Sequence, residues 1–163
     1  MQIWQRRVLG VLAVGGSALG IAIGVEAAAS ANNALVWLLV ALFIILYLWG
    51  IWCGVSLIEQ RGGATPSNLA FWCIQIPMLE SPYIGYLFTS GFFTTLTFQP
   101  SETKLGFLFW LGSKFDVSLM QADKPFVFGV NLFALAVAVF LYRQLCKAPP
   151  NNSFKPNPLR GSA

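Results

Sequence analysis

The feature that most restricts the fold of this chain is an uncharged run of twenty-five residues, from Ala34 to Ile58. Leu, Ile, Val and Phe make up most of this run. An α-helix of about 20 mostly apolar residues crosses the roughly 30 Å hydrocarbon core of a bilayer. Only 10 % of the 163 residues are charged, whereas about 25 % are charged in a typical soluble domain. The run therefore predicts a transmembrane helix over 34–58.

Two further apolar runs are long enough for membrane helices. The first begins at Val8 and stays uncharged until Glu26, and it predicts a helix over 8–29. The last predicts a helix over 125–146, since Pro125 suits the first turn of a helix. Both runs favour an integral membrane protein.

A fourth membrane segment is predicted over 67–82, where the chain is apolar but short. Pro77 and Pro82 interrupt a helix there, because proline lacks a backbone N–H donor. The segment is therefore interpreted as a short broken helix, and residues 68–86 either cross the membrane or re-enter it. The sequence thus predicts an α-helical integral membrane protein with about four membrane segments in a single membrane domain, residues 1–148.

Between residues 84 and 119 the sequence pattern changes from helical to alternating. From Leu105 to Leu119 every odd position except Ser113 carries an apolar side chain, which is typical of a β-strand. A polar turn sequence separates this run from an earlier alternating one. The pattern predicts an antiparallel β-ribbon with arms 84–98 and 104–119, inserted before the last helix. The alternative is a tilted membrane helix through 104–120.

The ribbon is expected at the membrane surface or outside, because open strand edges do not occur in hydrocarbon. Basic residues predict the orientation, since they concentrate in cytoplasmic loops. A cytoplasmic N-terminus places most of them inside: Arg6, Arg7, Arg61, Arg143, Lys147, Lys155 and Arg160. The prediction is a multi-pass protein of a bacterial inner membrane with both termini cytoplasmic.

The N-terminal run has a second interpretation. Arg6 and Arg7, the apolar stretch and the small residues 27–31 also resemble the layout of a cleaved secretory signal. The run is longer than the usual signal core, which favours a retained helix. The later segments keep the same orientation in either case.

The composition excludes several kinds of chemistry. The chain has no histidine, which removes histidine bases and histidine metal ligands. Its cysteines, Cys53, Cys73 and Cys146, are too far apart for a CxxC motif. The basic residues flank apolar runs and form no patch suited to nucleic acid. The expectation is a protein without catalytic residues, metal, cofactor or nucleic-acid partner, and not an enzyme.

Small residues mark a packing face on the first two helices. Gly16, Gly20 and Gly24 form a GxxxGxxxG ladder, and Gly50 and Gly54 form a GxxxG pair. Such residues let helices approach closely in lipid. Two interpretations remain open, packing between helices of one subunit and self-association into an oligomer.

Three other residues are candidates for chemistry. Glu80 follows a proline break and is a candidate proton or cation site, although a carboxylate at a helix end is the simpler interpretation. Cys53 and Cys73 are expected at similar depth on neighbouring segments and form a candidate thiol pair. The simpler interpretation is a pair of small apolar side chains.

The tail, residues 149–163, is rich in proline and without periodicity, and it is predicted to be disordered. Its last residues, 152–163 (NSFKPNPLRGSA), resemble the tails of bacterial proteins whose reading frames run into an integron-type recombination site. The resemblance implies a Gram-negative bacterial gene and covers the tail alone.

For the body of the chain, the sequence predicts a small non-catalytic accessory or interaction protein with an external β-ribbon. Its expected partners are the lipid bilayer and another membrane protein or a second copy. The alternative is an oligomeric channel or small-solute transporter packed through the glycine ladder.

Overall fold

The computed structural model describes residues 1–31, 33–100, 104–119 and 125–147. The first two elements are long helices, α1 (Ile3–Ala29) and α2 (Ala34–Ile58), which pack side by side. The side chain of Asn33 caps α2 by accepting a hydrogen bond from the Leu35 N–H at 3.0 Å. Both helices are long and apolar enough to cross a membrane. The structure therefore confirms that each of the two predicted N-terminal segments is a helix.

The rest of the described chain folds into two short helices and a sheet. The elements are α3 (Ala64–Ile74), β1 (Pro77–Glu80), β2 (Ile84–Thr89), β3 (Phe92–Gln99), β4 (Lys104–Leu111), β5 (Lys114–Leu119), β6 (Val127–Asn131) and α4 (Leu132–Lys147). The six strands form one antiparallel sheet in the order β4-β3-β6-β1-β2-β5, curved into a half-barrel. The prediction of a four-span helical membrane protein is therefore wrong.

The predicted β-ribbon is present as one long hairpin within this sheet. Its register is continuous, from Ile84 opposite Leu119 to Gln99 opposite Lys104. Each arm bends in the middle, at residues 90–91 and at residues 112–113. The bend separates β2 from β3, and β1 and β6 fill the space between them. The alternative of a membrane helix through 104–120 is therefore wrong.

The predicted broken helix over 67–82 is a helix followed by a strand. The helix α3 is eleven residues long and ends before Pro77, which begins β1. Proline fits the first position of a strand, where its missing N–H breaks no ladder hydrogen bond. The chain after α3 therefore enters the sheet and does not complete a membrane crossing.

The predicted helix over 125–146 is also wrong in its first part, which forms β6. Asn131 ends the strand and begins the helix, because its Oδ1 accepts from the Ala134 N–H at 3.3 Å and from the Thr94 N–H of β3 at 3.4 Å. Gly129 lets β6 lie close to its neighbours, since a Cβ there would be 2.8 Å from Thr95 Cγ2. The remaining helix α4 has sixteen residues, about 24 Å.

Different elements pack against the two ends of the α1–α2 pair. We call the end with α4 the helical half and the end with the strands the sheet half. In the helical half, α4 passes the start of α1, where Val137 and Phe140 share a cavity with Trp4 and Val8. In the sheet half, Phe88 and Phe115 pack on α2, and the Phe115 ring lies 5.0 Å from that of Phe43. The helical half carries most of the described basic side chains: Arg6, Arg7, Arg61, Arg143 and Lys147.

The disordered tail predicted over 149–163 lies outside the described residues, as does Lys124.

Candidate functional site

The two ribbon bends meet the helix pair at its centre. Gly91 and Gly112 lie opposite each other, joined by a 2.7 Å hydrogen bond from the Gly112 N–H to the Gly91 carbonyl. Both adopt a positive φ, 91° and 131°, which an L side chain rarely takes. The bend contacts Gly16, the central residue of α1. The ribbon therefore lies beside the long helices, not beyond their ends.

A cluster of buried polar side chains fixes this contact. The Ser113 hydroxyl donates to the Gly16 carbonyl, and the Ser17 and Ser90 hydroxyls are 3.4 Å apart. Gln75, at the end of α3, accepts from the Ser90 N–H at 2.8 Å and donates to the Phe71 carbonyl at 3.1 Å. These hydrogen bonds join α1, α3 and both ribbon arms. We call Ser17, Gln75, Ser90 and Ser113 the bend cluster.

Two tyrosines extend these contacts to the other helices. The Tyr47 hydroxyl of α2 donates to the Thr89 carbonyl at 3.0 Å, and its ring lies 4.9 Å from that of Phe88. The Tyr86 hydroxyl donates to the Ile74 carbonyl at 2.9 Å. Burial raises the pKa of the Tyr86 phenol, and the protonated hydroxyl is the donor in this hydrogen bond. Apart from the contact between the Ser17 and Ser90 hydroxyls, the hydrogen bonds described here join a side chain to a backbone group, and they hold the elements together.

The glycine face is used inside the subunit. A Cβ at Gly16 would meet the ribbon bend, one at Gly20 would meet the Tyr47 ring, and one at Gly24 would lie 3.0 Å from Ile44. On α2, a Cβ at Gly50 would meet Phe71, and one at Gly54 would lie 2.7 Å from the carbonyl oxygen of Gly10. The ladder is therefore occupied by α2 and the ribbon of the same chain, and the GxxxG pair of α2 is occupied by α3 and α1.

The candidate ionisable site lies on the sheet, not at a helix end. Glu80 is the last residue of β1, and it lines a cavity of about 100 Å³ together with Lys114 and Asp116 of β5. Among the described residues, no group of three His, Cys, Asp or Glu side chains is placed to hold a metal ion. This corner of the sheet contains charges of both signs.

The candidate thiol pair has two different environments. Cys53 is buried, and its carbonyl accepts from the Asn68 side chain at 2.7 Å. Cys73 is exposed on α3, and both residues are free thiols.

The strand β4 carries the most exposed large apolar side chains among the described side chains of the sheet. It is an edge strand, with β3 as its one neighbour among the described residues. Large apolar side chains are exposed on both faces of this strand, and their exposed fractions run from 51 % for Leu108 to 73 % for Leu105. These side chains are Leu105, Phe107, Leu108, Phe109, Trp110 and Leu111. An edge strand offers unpaired N–H and C=O groups to another strand. We call Lys104–Leu111, with its open side, the β4 edge.

A groove adjoins the β4 edge. It has a volume of about 420 Å³ and lies between α1 and the outer part of the sheet. Leu19 and Ile23 line it on the α1 side, and Leu108, Trp110 and Lys114 line it on the sheet side. The groove offers apolar space beside the exposed strand.

The sequence contained one signal for the bend cluster. Ser113 is the exception in the alternation of 105–119, and the exception marks the bend. Gln75 gave no comparable signal, because a single polar residue in an apolar run also fits contact between helices.

No known protein family, curated protein or solved structure matches this chain.

Proposed function

We propose that this protein is a small, non-catalytic interaction protein of a bacterial inner membrane, and that the β4 edge is its interaction element. The single observation that carries the proposal is the exposure of large apolar side chains on both faces of an edge strand. An exposed, long and apolar edge strand is normally shielded in natural proteins. A strand of a partner protein satisfies both the free backbone groups and the apolar side chains.

The membrane anchor is assigned to α1 and α2. In α2, 22 % of the most apolar stretch is buried within the protein, whereas the core helix of a soluble protein is mostly buried. Its exposed side chains include Trp37, Leu38, Ile45 and Trp52. The basic side chains gather near the start of α1 and the end of α4, which under the positive-inside rule makes this end cytoplasmic.

The orientation is tested by thiol labelling of intact cells. In a background without native cysteines, Ser30→Cys lies at the end of α1 and Gly62→Cys lies after α2, and both positions are exposed. An impermeant maleimide should label Ser30→Cys and leave Gly62→Cys unlabelled until the cells are opened. Labelling of both positions in intact cells, or release of the protein by alkaline carbonate, contradicts the membrane anchor.

The interaction element is tested by photo-crosslinking in the native membrane. Benzoylphenylalanine replaces Phe107 in the β4 edge or, as a matched control, Ile45 on the exposed face of α2; the two side chains are 65 % and 61 % exposed. The Phe107 position should give a protein adduct of one defined mass, and the Ile45 position should give lipid adducts. Lipid adducts at both positions contradict the proposal.

A further inference from the structure

A polar cavity lies where α1 begins, α2 ends and α3 begins. It has a volume of about 270 Å³, and it is lined by Arg6 of α1 and by Arg61 of the turn between α2 and α3. The buried side chains of Leu57 and Ala64 form part of its wall. A water molecule occupies about 30 Å³ in the liquid, so the cavity has room for a small polyatomic ion. We call this space the arginine cavity.

Arg6 brings an unpaired donor to the arginine cavity. Its Nε atom is buried and has no hydrogen-bond partner among the described residues. Buried donors of native proteins almost always have an acceptor, and an unpaired donor on a charged group is especially costly. The Arg6 side chain is therefore suited to an acceptor from outside the described chain.

The charge on the wall of the arginine cavity is positive. The Arg61 Nε donates to the Glu59 carboxylate at 2.6 Å, which uses one of the five N–H donors of this guanidinium. Glu59 does not line the cavity, and neither does any other Asp or Glu among the described residues. The lining thus combines two guanidinium groups with no carboxylate, which favours an anion.

Gln60 lines the same cavity in a strained backbone conformation. Its φ of 61° is the one positive φ of a non-glycine residue in the described part of the chain. Gln60 directly follows the C-cap of α2, and the next N–H, that of Arg61, donates to the Ser56 carbonyl at 3.1 Å. Glycine is the usual residue at this position. A strained residue beside a polar cavity indicates a role for its side chain, and the glutamine amide can donate to an anion.

We propose that the arginine cavity binds a phosphate group through Arg6 and Arg61, with Gln60 and the hydroxyl of Thr65, which also lines the cavity, as neutral donors. The fork of one arginine occupies both oxygens of a carboxylate, whereas a phosphate has four oxygens for two arginines and further donors. A phospholipid headgroup and free phosphate share this chemistry. The site does not involve the β4 edge and does not depend on its partner.

Thermal unfolding tests the cavity with inorganic phosphate. The purified full chain in dodecyl maltoside is unfolded in sodium phosphate or in sodium chloride of equal ionic strength. A ligand that binds the folded protein raises its Tm, so phosphate should raise the Tm of the unmodified protein and not that of Arg6→Gln. Arg7→Gln is the matched control, because Arg7 is adjacent on α1 and does not line the cavity. Its Tm should respond as that of the unmodified protein does.

Native mass spectrometry tests the lipid source with the same delipidated protein. Phosphatidylglycerol or phosphatidylcholine is added at equal concentration. The unmodified protein and Arg7→Gln should each retain one phosphatidylglycerol, and Arg6→Gln should bind it about tenfold more weakly, since a hydrogen bond to a charged group is lost. Retention of phosphatidylglycerol assigns the site to a headgroup, and a rise in Tm with phosphate but without lipid retention assigns it to free phosphate.

Two results overturn the proposal. One is equal weakening of binding by Arg6→Gln and Arg7→Gln, which would reduce the effect to the general positive charge of this end. The other is the absence of any response to either ligand. Inorganic phosphate tests the cavity without the proposed membrane anchor, so a failed anchor and a failed phosphate site are distinguishable.

Gln60→Glu keeps the proposal testable if Arg6→Gln does not fold. Gln60 is exposed, and glutamate has nearly the same size, so the fold should be retained. The new carboxylate would lie in the lining of the cavity and repel a phosphate, so binding of either ligand should weaken about tenfold. Circular dichroism checks the fold of the variant. Undiminished binding by folded Gln60→Glu overturns the proposal.

Discussion

The contact between Gly16 and the ribbon bend predicts that one added methyl group destabilises the protein. A Cβ on residue 16 would lie 2.5 Å from the Gly91 amide nitrogen and 2.7 Å from the Ser90 carbonyl carbon. These are backbone atoms, held in place by the bend cluster, and they cannot rotate away. Overpacking costs typically 1–3 kcal/mol, and we take about 3 kcal/mol because the backbone must shift.

Helix propensity offsets part of this cost. Alanine is more favourable than glycine in a helix by about 1 kcal/mol, so Gly16→Ala should lose about 2 kcal/mol of unfolding free energy. In a protein of this size, each kcal/mol changes the Tm by roughly 2–4 °C. The expected decrease in Tm is therefore about 4–8 °C.

The adjacent glycine is a matched control. A Cβ on Gly15 would meet no atom within 4 Å, so Gly15→Ala gains helix propensity without a clash and should raise the Tm by about 2–4 °C. Thermal unfolding in one detergent, followed by circular dichroism at 222 nm, compares the two variants. Because the contact lies within one chain, tenfold dilution should not change the difference. Equal shifts for both variants would refute the close contact between α1 and the bend.

Three further predictions concern the surroundings of the bend. Gln75→Leu removes the acceptor of the buried Ser90 N–H and should cost about 1–3 kcal/mol, measured by chemical denaturation; an unchanged midpoint contradicts this role. In folded protein, Cys73 should react with a maleimide and Cys53 only after unfolding, as read by mass spectrometry of peptides; equal reactivity contradicts the burial of Cys53. Burial raises the pKa of Tyr86 in the folded protein above its value in the unfolded chain. The contribution of Tyr86 to the free energy of unfolding is therefore complete below about pH 10 and decreases as the pH rises through the pKa of Tyr86 in the folded protein. Tyr86→Phe should reduce this alkaline loss of stability, and an identical pH profile would contradict it.

The alternation of apolar and other side chains was sufficient to predict the ribbon, because successive side chains of a strand point to opposite faces of the sheet. The two arms over 84–98 and 104–119 and their turn are those of the observed hairpin. The middle bend was not predicted, since Ser90–Gly91 and Gly112–Ser113 also fit a straight strand. Their role depends on Gly16 and Gln75, which are distant in sequence.

The predicted fold class was wrong because two short strands, β1 and β6, lie in apolar segments that were predicted to be helices. Residues 127–131 precede α4 without a break in hydrophobicity, and a short buried strand cannot be distinguished there from a helix by periodicity. Asn131 was the local signal for the boundary, because asparagine is a favoured helix cap. Pro77 was the corresponding signal for β1, since it ends α3 and begins the strand.

The glycine ladder and the β4 edge are connected by the same geometry. In helical membrane proteins, small residues allow one helix to approach another, but in this chain Gly16 admits a bent β-ribbon to the centre of α1. A ribbon at that position extends a sheet along the exposed apolar sides of α1 and α2 and leaves β4 without a second neighbour among the described strands. Helix pairs satisfy their own backbone, whereas a sheet edge does not. Under the proposed membrane anchor, close packing inside the subunit is therefore what leaves the β4 edge for the proposed partner strand.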